Sequence, residues 1–443
     1  MPDLAPIQKL PQELYDEIFS HFKEPYTGAS GWTPDRNGAT KKPYCAAQYD
    51  HARRVFRDYA LHANADLRSV RLVSRSFYRS ATKLMFGDCV VRSSAFQTKA
   101  THSFAASNIT PFMAHAIKRL RVDFCESDPE SKRLFAKAGP GLAKQTTADA
   151  LLEFIRGHPS AISKLPNLEC LMVTAPRYLN SGTEWSDQLD LDLDVVDRLR
   201  SSLVSVFSAA KFEFLTDLRL SLPCAYDFAV LSEALSDEMC LQLQHLYLEY
   251  TDATGQGGCR MYKTWCDYRG DPYEMSDARV PLSNLQQRYP NAEYAAHICT
   301  LIGRCCNLES LGLAATHHFE GNLLNWKPAL GKGLKTLYLR RVRINSDVLI
   351  GLVSPHPETK SPLFSLRFNE VDLLSGSWAQ VFSHISENCP SLSYLSPDHL
   401  SYAQEGESSH LSSRREFPVC PGHPPDRREL DALVLKLSTK LDG

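Results

Sequence analysis

The sequence predicts an α/β chain: a small helical N-terminal unit, then a long array of strand–helix units forming a curved parallel sheet with helices on its convex side. Three observations predict it. A six-residue frame with leucine at its first, fourth and sixth positions recurs from residue 168 to residue 368. Amphipathic stretches with helical spacing lie between its copies. Ahead of the array, two short segments carry apolar residues at helical intervals.

Composition narrows the function classes. The 443 residues are 43% hydrophobic, enough to bury cores but long for one ordinary domain unless repeats take up much of the chain. Lys and Arg number 49 against 51 Asp and Glu, a net charge of −2, which argues against a mainly electrostatic nucleic-acid binder. No run of about 18 apolar residues suggests a membrane span. The start, MPDLAPIQKLPQEL, lacks the basic and apolar regions of a secretory signal, so a cytoplasmic or nuclear location is expected. Thirteen irregularly spaced cysteines then read as free, mostly buried thiols rather than a disulfide framework. Cys420 and His423 come nearest to a metal pair but have no second pair beside them, and no metal or cofactor is expected.

The frame reads Leu168-Glu169-Cys170-Leu171-Met172-Val173, then recurs from Leu215, Leu243, Leu308, Leu334 and Leu363, with degenerate copies from Ile117 and Leu392. Steps of 28 residues (215 to 243), 26 (308 to 334), 29 (334 to 363) and 29 (363 to 392) lie at or near the range of leucine-rich repeats, which the frame resembles. Three steps are longer: 51 (117 to 168), 47 (168 to 215) and 65 (243 to 308). Helices are expected at 147–156, 196–210, 228–239, 293–306 and 378–389. Stacked strand–helix units bury a core that no single unit could bury alone.

The longest step carries an insert, 251–292, rich in Gly, Pro and aromatics and without helical periodicity. Two readings of it stay open, a binding loop and an idle surface excursion. After residue 396 the frame stops. Residues 400–428 are polar, and 429–441 place Leu430, Leu433, Val434, Leu437 and Leu441 on one helical face, as a terminal cap on the array or a partner site.

At the N-terminus, Leu10-Pro11-Gln12-Glu13-Leu14 opens a helix: proline suits the first helical position, acids sit near the positive end of the dipole, and Leu14, Ile18 and Phe22 recur every four residues. One short helix needs a partner in water. Asp66–Ala81 supplies it, with Leu67, Val70, Ser74 and Phe77 at helical spacing. LPQELYDEIFSHF followed by ADLRSVRLVSRSFYRSA resembles an F-box. The likeness covers about 30 residues but is dense within them, including LVSRSFYRSA. One departure is the stretch 24–65 between its halves, a Gly/Pro/Thr-rich loop followed by a possible helix; closure entropy makes such an insertion cheap. Cys305 and Cys389, each three residues before a frame leucine, then resemble the small buried cysteines of the repeats found behind F-boxes.

An F-box joined to leucine-rich repeats resembles the substrate receptors of SCF-type (Skp–cullin–F-box) ubiquitin ligases, in a form like that common among fungi. The resemblance implies three regions: 1–90 for the F-box with its 24–65 insert, 91–396 for the repeats with the 251–292 insert, and 397–443 for a polar tail and amphipathic helix. It implies docking on a Skp adaptor, and through it a cullin, with Leu10, Pro11, Leu14, Ile18, Leu67, Val70, Val73 and Phe77 as adaptor-contact candidates. It also implies an unknown protein substrate, and a receptor that breaks no bonds itself. The alternative is a repeat scaffold without ligase function. No phosphate-loop, dinucleotide, zinc-protease or serine-hydrolase frame is present. His317-His318 has no acidic partner at ligand spacing and reads as a surface loop. Asp187–Asp197 reads as a solvated acidic turn rather than a calcium loop.

Strand periodicity also selects a substrate face. The last two leucines of each frame point into the core, so the residues between and beside them line the exposed concave side of the sheet. These include Arg219, Tyr247, Glu249, Gly312, Tyr338, Arg340 and Arg367. Gly312 and Ala314 between Tyr247 and Tyr338 predict a shallow pocket walled by two rings, and the flanking arginines suit an acidic or phosphorylated segment. Binding by the 251–292 insert or a side surface is the competing reading.

Overall fold

A computed structural model describes residues 11, 13–14, 72, 75–93, 110–124, 156–157, 159–175, 193–250, 284–356, 359–403 and 423–441. In chain order these form α1 (Arg75–Gly87), β1 (Asp88–Ser93), α2 (Pro111–Ala116), β2 (Arg119–Phe124), β3 (Cys170–Thr174), α3 (Leu193–Ala209) and β4 (Asp217–Leu222). There follow α4 (Ala225–Ala234), α5 (Asp237–Gln242), β5 (His245–Tyr250), α6 (Asn284–Arg288), α7 (Asn291–Arg304) and β6 (Ser310–Glu320). The described chain closes with β7 (Thr336–Asn345), α8 (Ser346–Val353), β8 (Ser365–Ser375), α9 (Trp378–Asn388), β9 (Tyr394–Tyr402) and α10 (Pro424–Leu441).

The nine strands make one open sheet in strict chain order, each parallel to the next. From β2 to β9 every strand begins at the third residue of its leucine frame, complete or degenerate. The residue before each strand ties the ladder at its base. The Thr216 carbonyl accepts the N–H groups of Gln244 and His245, both at 2.9 Å, and Lys335 serves Phe364 and Ser365 at 2.8 and 3.0 Å in the same way.

The first, fourth and sixth residues of all six complete frames are buried. They share one core with the apolar sides of the helices, among them Leu203 and Val206 of α3, Ile298 and Leu301 of α7, and Phe382 and Ile385 of α9. Each such leucine contributes roughly 1.5–3 kcal/mol by leaving water. Cys305 and Cys389 cap the ends of α7 and α9 and are buried, and all eight described cysteines are free thiols.

The later strands run past the frame. Arg341 (φ 54°) and Glu370 (φ 56°) adopt left-handed backbone, each using up one position. Alternation then restarts, so Val342 and Ile344, and Val371 and Leu373, again face the core. A left-handed non-glycine residue costs on the order of 1–3 kcal/mol. The Arg341 Nε–H donates to Glu370 Oε2 at 2.7 Å and offsets part of that.

Several expectations change. The helix expected over 228–239 breaks at Leu235, where extended backbone ends α4, and Ser236 caps α5 by accepting from Met239 N–H at 3.2 Å. Strand β1, with no leucine frame, adds an edge beginning at Asp88, before the expected boundary at 91. Strand β9 passes 396 and runs to Tyr402; as an edge strand it tolerates Pro397. His317 and His318 lie within β6, not in a loop, at a stretch where its register with β7 shifts. Of the acidic stretch, residues 187–192 lie outside the described residues, and Asp197, within α3 and half-exposed, is paired with Arg200 at 2.5 Å. The helix expected at 147–156 falls outside the described residues except for Arg156, as does most of the insert 251–292 before Asn284.

Helix α10 packs along α9 and closes the end of the core. Leu433 and Leu437 are buried, whereas Val434, expected on the same face, is exposed. Asp426 at its start accepts the Ala379 N–H at 2.8 Å and the Tyr402 hydroxyl at 2.7 Å. No helix among the described residues is long and apolar enough to cross a membrane.

Candidate functional site

The sheet has two faces. One packs on the helices; the other, the outer face, collects the residues that alternate with the core leucines. Pairing brings these into rows across the strands. Arg219, Tyr247, Gly312, Tyr338 and Arg367 align across β4 to β8, and beside them run Glu249, Ala314, Arg340 and Asn369 across β5 to β8. All seven substrate-face candidates therefore lie on contiguous strands.

Their environment differs from the expected open pocket. Tyr247 lies across Gly312 and fills the space between the strands, its ring nearly parallel to that of Tyr338 (8°) with centroids 6.2 Å apart. Tyr338 is only 2% exposed and packs with Ala314 and Tyr247 in a small cluster of its own. The Arg367 guanidinium sits 5.3 Å from the centre of the Tyr338 ring. Tyr247, Tyr338 and Arg367 thus pack against one another and leave no pocket between the two tyrosines. In-register strands lie about 4.8 Å apart, so large planar side chains in one row close on each other.

The arginines are also not free for an incoming anion. Arg219 is 4% exposed and donates to both oxygens of Asp217, at 2.9 and 2.7 Å. The buried Glu249 accepts from Ser221 Oγ at 3.0 Å and Tyr247 Oη at 3.4 Å, with Arg340 at 3.8 Å. Half-exposed Tyr247, Arg340, Arg367 and Asn369 are what this part of the face presents to solvent. Burial lowers the pKa of His245, next to Asp217 in the adjacent row, below the usual imidazole value.

Sequence reasoning missed a second ionic group beyond the left-handed residues. Arg343 lies 3.5 Å from Asp372 and 3.9 Å from Glu320, and Ser401 Oγ donates to Asp372. Burial raises the pKa of Glu320, against the pull of Arg343. The signal was the continued alternation in VRIN and VDLL after each frame. On the helix side, Arg200 donates to Asp227 at 2.7 Å and stands 4.5 and 4.9 Å from the ring centres of Tyr226 and Tyr289. This ties α3 and α4 to Tyr289, just after α6, and is structural.

Of the adaptor candidates, Pro11 and Leu14 are exposed, with Leu14 N–H donating to the Pro11 carbonyl at 3.1 Å. Phe77 is half-buried on α1. Leu10, Ile18, Leu67, Val70 and Val73 lie outside the described residues, and with them most of the motif. Among the described residues no cluster of His, Cys, Asp and Glu could hold a metal ion.

Set beside known proteins, the chain matches no protein-family model and no curated protein. The fold defines an α/β chain with an open parallel sheet whose outer face, from β4 to β8 among the described residues, is polar, ionic and aromatic.

Proposed function

We propose that the chain is a substrate-recognition subunit of an SCF-type ubiquitin ligase, with its N-terminal motif docking a Skp adaptor and its leucine-rich strand–helix array binding a target protein. The observation that carries this reading is an order: the F-box-like segments LPQELYDEIF and LVSRSFYRSA precede nine parallel strands that follow one another in chain order. Parallel strands stacked in sequence, all but the first carrying a complete or degenerate copy of one frame and most with a helix behind, support a leucine-rich solenoid. The receptor makes and breaks no bonds. It holds the target close to a charged E2 enzyme and so raises the effective concentration of target lysines. On this reading the protein works where the ligase does, in the cytoplasm or nucleus.

The stretch 24–65 between the two halves of the motif favours a second reading, a repeat scaffold that no longer binds an adaptor. Co-purification separates the two. Tagged full-length chain should bring down the Skp adaptor and cullin from cells; a clean target complex without either would establish the scaffold.

A further inference from the structure

Resting on the reading of the outer face as the target-binding surface, we infer that the segment bound there is unphosphorylated and contains no acidic run. All but one of the five arginines of this face from β4 to β8 are already matched by carboxylates. Asp217 holds Arg219 at 2.9 and 2.7 Å, Glu370 holds Arg341 at 2.7 Å, and Arg343 lies 3.5 Å from Asp372 and 3.9 Å from Glu320. Arg340 lies 3.8 Å from Glu249, and Arg367 is spread over the ring of Tyr338. Among the described residues of the outer face from β4 to β8, four of the five arginines are paired with carboxylates, and the fifth, Arg367, lies over the Tyr338 ring.

A phosphoryl group binds where arginines or backbone N–H groups are free to converge on it. Here it would have to displace carboxylates from arginines that are mostly buried, and those same carboxylates would then face the phosphate at short range. Like charges brought together with little solvent between them repel strongly. The face offers instead the half-exposed Tyr247 ring, the Asn369 amide and the outer edges of Arg340 and Arg367, which suit hydrogen bonding and ring contact with an uncharged segment. The acidic target expected from the arginines alone loses its basis.

The test places the photo-crosslinker p-benzoyl-phenylalanine at Asn369 in the full chain, irradiates cells, and sequences the crosslinked segment by mass spectrometry. An unphosphorylated segment without an acidic run is the expected result. Synthesised with and without phosphate, it should bind the full chain within about twofold. A phosphorylated or acidic adduct, or a gain of about tenfold on adding phosphate, overturns the inference but leaves the face as the binding surface. No adduct from Asn369, in cells where the tagged chain still captures a target, overturns the reading of the face and the inference with it.

Discussion

The ring of Tyr247 occupies the place where a side chain at Gly312 would stand. A Cβ on Gly312 would lie 2.4 Å from Tyr247 Cδ2 and 3.2 Å from Cε2. Sequence spacing sees a small residue between two tyrosines and reads a gap; the strand ladder turns the gap into the bed of a ring. Tyr247 in turn lies nearly parallel to Tyr338, which carries the guanidinium of Arg367.

Gly312→Ala should therefore lift Tyr247 off the sheet and cost about 1–2 kcal/mol in urea unfolding. Tyr247→Ala removes the obstacle, so the double variant should be less destabilised than the two single variants together, by about 1 kcal/mol. Strict additivity would show that the ring and the glycine are not coupled.

Tyr338 and its solvent-facing neighbours should separate stability from binding. Truncating the buried Tyr338 to Ala costs about 3 kcal/mol of folding free energy, as for other buried aromatics. Arg340→Ala with Asn369→Ala touches half-exposed groups, so it should leave the thermal midpoint nearly unchanged while weakening target capture by roughly 2 kcal/mol. Equal capture by this double variant would move attention to the region 251–292.

How far the sequence reaches depends on what each feature is made of. The core-facing leucines were legible because a period of two within strands and a fixed frame between them are properties of order alone. Helix α8 was not, since SDVLIGLV is short and apolar nearly all round and shows no polar face to mark its period. The break at Leu235 was written in Ser236-Asp237, a capping signal that the apolar residues on either side obscured. The alternating strand residues do share one face of the sheet, but their neutralisation depends on which strand neighbours which and in what register. Left-handed backbone at Arg341 and Glu370 has no glycine to announce it.

The proposed adaptor surface is tested at the first segment of the F-box-like motif. Leu14 is 47% exposed, an apolar side chain facing solvent. Leu14→Asp with Ile18→Asp should abolish adaptor co-purification, because a charge buried unpaired at such an interface costs several kcal/mol. The circular dichroism of the sheet should not change. Deleting residues 26–44 should leave adaptor binding intact; loss of binding on deletion would make that stretch part of the docking surface.

Asp426 latches α10 onto the last strand–helix unit. One carboxylate oxygen caps the first turn of α9 at Ala379, and the other holds the Tyr402 hydroxyl, which itself accepts the Trp378 N–H at 3.0 Å. Asp426→Ala strands these donors in a nearly dry setting and should cost about 2 kcal/mol. Amide exchange should then accelerate first in α9 and α10, ahead of β4 to β6. Uniform acceleration across the sheet would deny the latch a local role.

His245 should make stability depend on pH near neutrality. Burial is the largest influence and lowers its pKa from 6.5, with Asp217 and Glu309 pulling it up and Arg219 and Lys335 pushing it down. The folded state therefore binds this proton less readily than the unfolded chain does. By linkage its contribution is complete above 6.5 and is lost as pH falls from there toward the depressed folded value. For one proton the slope cannot exceed about 1.4 kcal/mol per pH unit. His384 shifts the same way, while Glu320 and Asp227 shift upward and oppose it at lower pH. These groups remain in a His245→Gln variant, so the difference between the two proteins isolates His245. Unfolding free energies measured from about pH 7.5 to about pH 5.5 should fall more for the natural chain than for His245→Gln. Parallel pH profiles would place the imidazole in contact with solvent in the folded state.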